Sequence, residues 1–264
     1  MAKTLSHNIN YLWRLAATAI SFACFGLGGV LLWLVVFPLL ALLPGDRRRK
    51  ACRAQTMVHL SFYAFIGLMH RLGVMSYQIC GGEKLNRPGQ LVVANHPTLV
   101  DVVFLLSRIK QASCIVKASL WRNPAMRGSI LHAGYISNAD SQTMIADCAA
   151  WLNGGGGLIV FPEGTRSVPG QAYRFQRGVA AIALAADCVL TPVTLTCTPS
   201  TLTKNLAWYR IPPRRFHLRM EVGDDIDLSD YRRLQPHSIA VRRLTQTLLD
   251  YFTEQRQAYE QHRN

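Results

Sequence analysis

The sequence predicts an α/β fold: a largely parallel mixed sheet flanked by helices, preceded by an N-terminal hydrophobic membrane anchor. Three observations point there. Short apolar runs alternate with helical patterns from about residue 80 onward, and residues 16–44 carry no formal charge. The chain of 264 residues suffices for one such domain plus a short extra element, and not for two full enzymes. Half the residues are hydrophobic and 17% are charged, greasy for a soluble enzyme and dilute for a polytopic transporter. The expected organisation is an anchor with a basic flank over residues 1–55, an amphipathic membrane-surface segment over 56–80 and an α/β domain over 81–264.

Leu15 to Leu43 is long enough to cross a hydrocarbon core, which needs about 20 apolar residues. It exceeds a signal-peptide core and has no small-residue cleavage site before Arg47, so a retained anchor is favoured over a signal peptide or a buried core helix. Pro38 offers an alternative in which the run kinks and returns as a re-entrant hairpin. Arg47, Arg48, Arg49, Lys50 and Arg53 crowd the C-terminal flank against Lys3 and Arg14 before the run. This bias predicts an inner (cytoplasmic) membrane protein with its main domain in the cytoplasm.

Met57 to Cys80 is also apolar, but His59, His70 and Arg71 interrupt it, which suits a segment lying along the bilayer better than a second span. Lys plus Arg exceed Asp plus Glu by 29 to 15, a formal charge of +14 that attracts anionic lipid, acidic carrier proteins or nucleic acid. With an anchor present and no zinc-finger, recognition-helix or RNA-binding pattern, membrane lipids are the expected partners and nucleic acid is not. The cationic-aromatic cluster Lys204, Trp208, Tyr209, Arg210, Pro212, Pro213, Arg214, Arg215 and Phe216 suits the bilayer interface, and a solvated basic loop nearly as well. Seven scattered cysteines, with no C-x-x-C pair, read as reduced core residues.

Within the domain, Gln90–Ala94, Ser113–Val116, Tyr135–Ser137, Leu158–Phe161 and Val189–Thr196 read as strands. Leu99–Arg108, Trp121–His132, Ser141–Leu152 and Phe175–Ala186 read as the helices between them. Arg215–Val222 adds an edge strand and Pro236–Arg263 a closing surface helix. The run Gly154–Gly157 invites comparison with a phosphate loop, yet it follows a helix and precedes a strand, as helix-terminating glycines do.

Chemistry concentrates in two places. In Asn95-His96-Pro97-Thr98-Leu99-Val100-Asp101, a strand gives way to a helix. Residues five apart on a continuous helix point about 140° away from each other, so His96 and Asp101 can meet only if His96 precedes the helix. Pro97 biases His96 toward an extended conformation and lets Asp101 reach back from the first turn. The carboxylate would then orient an imidazole whose other nitrogen takes a proton from a substrate hydroxyl. Alone, this pair is at least as well read as a capping Asp beside a surface His. In Phe161-Pro162-Glu163-Gly164-Thr165-Arg166-Ser167, a strand ends in a turn presenting a carboxylate, a flexible glycine, a hydroxyl and a guanidinium, the natural clamp for phosphate.

N-H-x-x-x-x-D followed some sixty residues later by F-P-E-G-T-R-S resembles the glycerolipid acyltransferase family, which includes the lysophosphatidate acyltransferases. Lys117, Leu120, Pro124 and Gly128 resemble its K-x-x-L-x-x-x-P-x-x-G run, with one further residue before the glycine, and Thr191-Pro192-Val193 its proline-containing fourth motif, so the likeness spans roughly residues 80–200. The resemblance implies His96 as general base, Asp101 as its orienting partner, and Glu163, Gly164, Thr165 and Arg166 as contacts to the acceptor's polar or phosphate group. At one position the chain departs from the family. Tyr135-Ile136-Ser137-Asn138 stands where the second motif has a phosphate-contacting Arg, so Asn138 brings an amide and no charge. Either Arg166 and a neighbour such as Lys117 carry the phosphate alone, or the acceptor lacks a phosphomonoester.

The expected reaction moves a fatty acyl group from acyl-CoA or an acidic acyl carrier protein to a hydroxyl of a lysophosphatidate-like lipid. The scheme calls for no metal and no resident cofactor. An acylated amino acid or specialised headgroup is the alternative acceptor. A non-catalytic membrane scaffold would have little use for His96, Asp101, Glu163 and Arg166, and the chain has no G-x-S-x-G nucleophile elbow for an acyl hydrolase. His132, at a helix end, is assigned to the helix dipole and not to catalysis.

Overall fold

The computed structural model describes residues 2–117, 120 and 123–261, with side chains described at 8–117, 120, 123 and 126–261. The apolar N-terminus forms helix α1 (Ala2–Leu31), a π-helical turn (Leu32–Val36) and helix α2 (Phe37–Ala41), after which the chain reverses into α3 (Arg47–Arg71). Asp46 caps α3, its carboxylate accepting from the Arg49 N–H at 2.7 Å. The domain follows as β1 (Met75–Cys80), β2 (Gln90–Ala94), α4 (Asp101–Leu106), β3 (Ala112–Val116), α5 (Pro124–His132), β4 (Ile136–Ser137) and α6 (Ser141–Asn153). It continues through β5 (Gly157–Val160), α7 (Gly178–Ala185), β6 (Val189–Thr198), β7 (Phe216–Val222), α8 (Ser229–Arg233) and α9 (His237–Gln261). The expected start of one helix at Trp121 and the end of another at Arg263 lie outside the described residues.

These strands form one sheet in the order β1-β7-β6-β2-β5-β3-β4. β6, β2, β5, β3 and β4 run parallel to one another, and β7, antiparallel to β6, carries β1 parallel to itself. All five residues of β2 are buried, as a central parallel strand with helices on both faces requires. Val92 and Ala94 enter the core shared with α3, α4 and α5; Leu91 and Val93 enter the opposite core, with α6, α7 and α9. The four-glycine run ends α6 and opens β5, with Gly155 at φ +82° and its N–H donating to the Leu152 carbonyl.

β7 lies inside the sheet and not at its edge. Its alternating Phe216, Leu218, Met220 and Val222 are buried because β1 covers its outer side. β1 occupies residues assigned from sequence to the surface-lying segment, so the sheet begins at Met75, ahead of residue 81. The helical part of that segment packs inward too. Val58, Phe62, Phe65, Ile66 and Met69, spaced by three or four, are buried in the core with α4.

α1 and α2 do not stand away from the domain. Arg14, Ala17, Thr18, Ser21 and Phe37 form a buried stripe against α3 and α5, while Leu12, Ile20, Leu27, Leu31, Leu34, Leu39 and Leu42 remain exposed on the other side. The approach is tight at Gly128 of α5, where a Cβ would sit 2.4 Å from Cβ of Trp33. Gly128→Ala is therefore expected to push α5 away from the π-helical turn and cost about 1–3 kcal/mol. Equilibrium unfolding in detergent measures the loss, and limited proteolysis at the 42–46 turn shows whether α1–α2 has loosened.

Candidate active site

Every segment singled out for chemistry leaves the same edge of the sheet. The C-terminal ends of β6, β2, β5, β3 and β4 lie side by side, and the chain emerges from four of them into His96, the Phe161–Ser167 turn, Lys117 and Asn138 respectively after β2, β5, β3 and β4. That edge is where parallel α/β sheets bind ligands. At a strand spacing of about 4.8 Å, Lys117 stands roughly 10 Å and Asn138 roughly 14 Å across the edge from the His96 strand.

Pro97 does interrupt the helix: α4 begins at Asp101, leaving His96 in the connection. The two side chains meet there, His96 Nδ1 lying 2.9 Å from Asp101 Oδ2. Asp101 is fully buried and its carboxylate is satisfied locally, Oδ2 accepting from the Thr98 N–H and Oδ1 from the Thr98 hydroxyl at 2.6 Å. The N-cap of α4 is Val100, which makes no side-chain cap hydrogen bond, so Asp101 closes the Thr98 turn and faces His96 without capping the helix. The His96 side chain is 16% exposed, and its ring stacks on Phe161 with centroids 4.3 Å apart. With Nδ1 facing the carboxylate, Nε2 is the nitrogen left for a substrate.

The Phe161–Ser167 turn clasps the backbone of His96. Glu163 Oε1 accepts from the His96 N–H at 3.0 Å and from the Ser167 hydroxyl at 2.7 Å, while the Ser167 N–H donates to the His96 carbonyl at 2.7 Å. Burial pushes the Glu163 carboxyl above its ordinary range, against the pull of its hydrogen bonds. Gly164 takes φ +64°, which lets the turn close, and Thr165 is half-buried beside it. Arg166 is placed differently from the open clamp its residue type suggests: its Nη1 donates to the carbonyls of Leu202 and Thr203, both at 2.9 Å. Lys117 and Asn138 are exposed and neighbouring, with the Asn138 N–H donating to the Val116 carbonyl at 3.2 Å.

Several contributors were not singled out from sequence. Thr98 and Ser167 lie inside the two motifs. Asn95 pairs both of its amide atoms with the backbone of Leu195 on β6, at 2.8 and 2.7 Å, which locks the end of β2. Its partner is 100 residues away, and nothing local announces it. His132 lies in the last turn of α5 and stacks on Phe37 with centroids 5.1 Å apart, where burial lowers its pKa. Burial raises the thiol pKa values of Cys114, Cys148 and Cys197 to about 12 and that of Cys188 to about 11.

Residues 77–196 match the family model described as Acyltransferase. A 1-acyl-sn-glycerol-3-phosphate acyltransferase of Chlamydomonas reinhardtii is 30% identical over 131 residues, covering 47% of this chain and 40% of that protein. A chloroplastic 1-acyl-sn-glycerol-3-phosphate acyltransferase of Arabidopsis thaliana is 28% identical over 108 residues, 39% of this chain and 30% of the relative. The chain thus spans less than half the length of these curated relatives. The crystal structure of the 1-acyl-sn-glycerophosphate acyltransferase PlsC from Thermotoga maritima superposes with a TM-score of 0.65 at 19% identity, over 92% of this chain and 97% of that one, which establishes the shared fold.

Proposed function

We propose, for a chain whose residues 77–196 belong to the acyltransferase family, an O-acyltransferase activity that esterifies a hydroxyl of a lysophosphatidate-like lipid with a fatty acyl group from a thioester donor. The observation that carries this reading is the 2.9 Å contact between His96 Nδ1 and a fully buried Asp101 carboxylate. His96 Nε2 takes the acceptor's hydroxyl proton as the oxygen attacks the thioester carbonyl, Asp101 stabilises the imidazolium, and the C–S bond breaks with the proton passing to the departing thiolate. An ester and a free thiol result. Glu163 and Ser167 hold the backbone that carries the imidazole. The names of the curated relatives support a lysophosphatidate acceptor; acyl-CoA and acyl carrier protein fit as donors. The test is mass spectrometry of products from the purified chain with acyl-CoA, with and without lysophosphatidate. Phosphatidate formed only with the acceptor supports the proposal, whereas free fatty acid released at the same rate in its absence would make the protein a hydrolase.

A second reading, a less anionic acceptor, is favoured by Asn138 and by the engagement of Arg166 with two carbonyls. Under the lysophosphatidate reading, Asn138→Arg is expected to raise kcat/KM for lysophosphatidate about tenfold, in line with about 1.5–3 kcal/mol for a charge-assisted hydrogen bond. The same variant assayed with a zwitterionic lysolipid decides between the readings: a loss there and no gain with lysophosphatidate would select the second.

The packing of α1–α2 bears on how the chain meets a membrane. A helix with one face buried against the domain and an apolar stripe on the other supports immersion along the bilayer surface or as a re-entrant hairpin, in preference to a span surrounded by lipid. We place the domain on the cytoplasmic face of the inner membrane, on the strength of the cationic flank Arg47–Arg53.

A further inference from the structure

The connection from β6 to β7 leaves the active-site edge, crosses to α1 and returns. Near its start, the Leu202 carbonyl accepts from the Leu99 N–H at 2.9 Å and from Arg166 Nη1 at 2.9 Å, between the two motifs of the site. Near its end, Arg14 of α1, almost wholly buried, donates to the carbonyls of Pro212 and Pro213, each at 2.8 Å, and Arg215 Nη2 lies 2.9 Å from Nδ1 of His70 in α3. Between these ties, Trp208 packs on Phe22 of α1 at a centroid distance of 5.7 Å, with Tyr209 edge-on against it. The segment is fastened at both ends and against the anchor, so the side chains it still presents outward are held in place.

Those outward side chains are Lys204, Trp208, Tyr209, Arg210 and Arg214, all exposed. The three cations make no ion pair or hydrogen bond through their side chains among the described residues. Half-buried Lys84 and Arg87, by contrast, have carboxylate partners. Trp208 and Tyr209 stand beside the half of α1 whose apolar stripe includes Leu12 and Ile20. Unpaired cations flanking two amphipathic aromatics, level with an apolar helix face, match the headgroup region of an anionic bilayer.

We propose that residues 199–215 form a second membrane contact, separate from α1–α2, in which Lys204, Arg210 and Arg214 bind anionic lipid headgroups while Trp208 and Tyr209 sit at the apolar boundary. This rests on the reading that the exposed stripe of α1–α2 faces the bilayer. Because the Leu202 carbonyl joins the same segment to Leu99 and Arg166, headgroup binding also steadies the loop beside the site.

The test is amide hydrogen exchange of the full chain in nanodiscs of phosphatidylcholine alone and of phosphatidylcholine with phosphatidylglycerol. Exchange across residues 199–215 is expected to slow several-fold in the anionic discs, to recover at high salt and to be insensitive to disc composition in Lys204→Ser/Arg210→Ser/Arg214→Ser. Unchanged exchange in the sheet strands of that variant shows that it is folded. Equal exchange of the parent protein in both discs would overturn the proposal. So would protection that survives the triple substitution, or protection produced by an acidic acyl carrier protein and not by anionic lipid, which would make this a protein-docking surface. A spin label at Leu27, relaxed by oxygen and not by a polar agent when immersed, reports on α1–α2 independently, so failure of the anchor reading is distinguishable from failure of the 199–215 contact. None of these measurements depends on turnover.

Discussion

His96→Ala is expected to lower turnover by about 10²–10⁴-fold while leaving the chain folded and membrane-associated, because it removes the proton acceptor and nothing the core depends on. The imidazole packs on Phe161 at the C-terminal edge of the sheet, whereas the backbone ties to Glu163 and Ser167 do not involve its ring. Asp101→Asn is expected to be milder. An amide NH2 in place of Oδ2 would face two donors, the Thr98 N–H and His96 Nδ1, but in place of Oδ1 it meets the Thr98 hydroxyl, which can rotate and accept. The histidine then keeps its orientation and loses only the charge that stabilises the imidazolium. Single-turnover rates on the two purified variants, each checked for secondary structure, measure the difference. Parental turnover by folded His96→Ala would remove the imidazole from the mechanism.

The second large effect is expected at Glu163, where two substitutions should part company. Glu163→Ala leaves the His96 N–H without its acceptor, at a cost of about 1–3 kcal/mol, and frees the loop; a shift of about 1 Å at a reacting group is worth about 10² in rate. Glu163→Gln retains an oxygen that can accept from both the His96 N–H and the Ser167 hydroxyl, so most activity should remain. The pH dependence of stability follows from the raised carboxyl pKa. The folded state holds this proton to higher pH than the unfolded state, so the carboxyl destabilises the wild type increasingly as pH climbs from its ordinary value of 4.5 toward the raised folded value. Glu163→Gln should therefore unfold like the wild type below that window and at higher denaturant above it. Were the Gln variant instead to show a much larger KM for acceptor with kcat untouched, the carboxylate would be a substrate contact and not a positioning residue.

The His96–Asp101 contact was legible because it is local: His96, Pro97 and Asp101 sit within six residues, and the conformational bias of one proline makes their meeting a matter of short-range geometry. The five parallel strands were legible for a similar reason, since buried β-branched runs bounded by turns need no partner to be recognised. What escaped was non-local. β1 is a six-residue alternation directly behind a long helix, and its place outside β7 depends on a chain reversal more than 130 residues later. Arg166 carries the residue type of a phosphate clamp, and only the folded path of residues 202 and 203 shows two carbonyls within reach of its guanidinium. Arg14, which sequence treats as a topological signal, donates instead to the carbonyls of Pro212 and Pro213 in the β6–β7 connection.

The buried and half-buried thiols acquire a meaning from the proposed chemistry. A protein that handles acyl thioesters is exposed to a side reaction with its own cysteines, since a thiolate that attacks the thioester carbonyl displaces the donor's thiolate and leaves the enzyme S-acylated. Cys197 follows Leu195, the residue that Asn95 grips, and it senses the charge of Asp101; there an adduct would wedge the catalytic edge of the sheet apart. With the thiols of Cys114, Cys148 and Cys197 held near pKa 12 and that of Cys188 near 11, fewer than about one in 10³ of each is ionised at neutral pH. The same apolar packing that completes the two cores also makes these four sulfurs inert toward the donor.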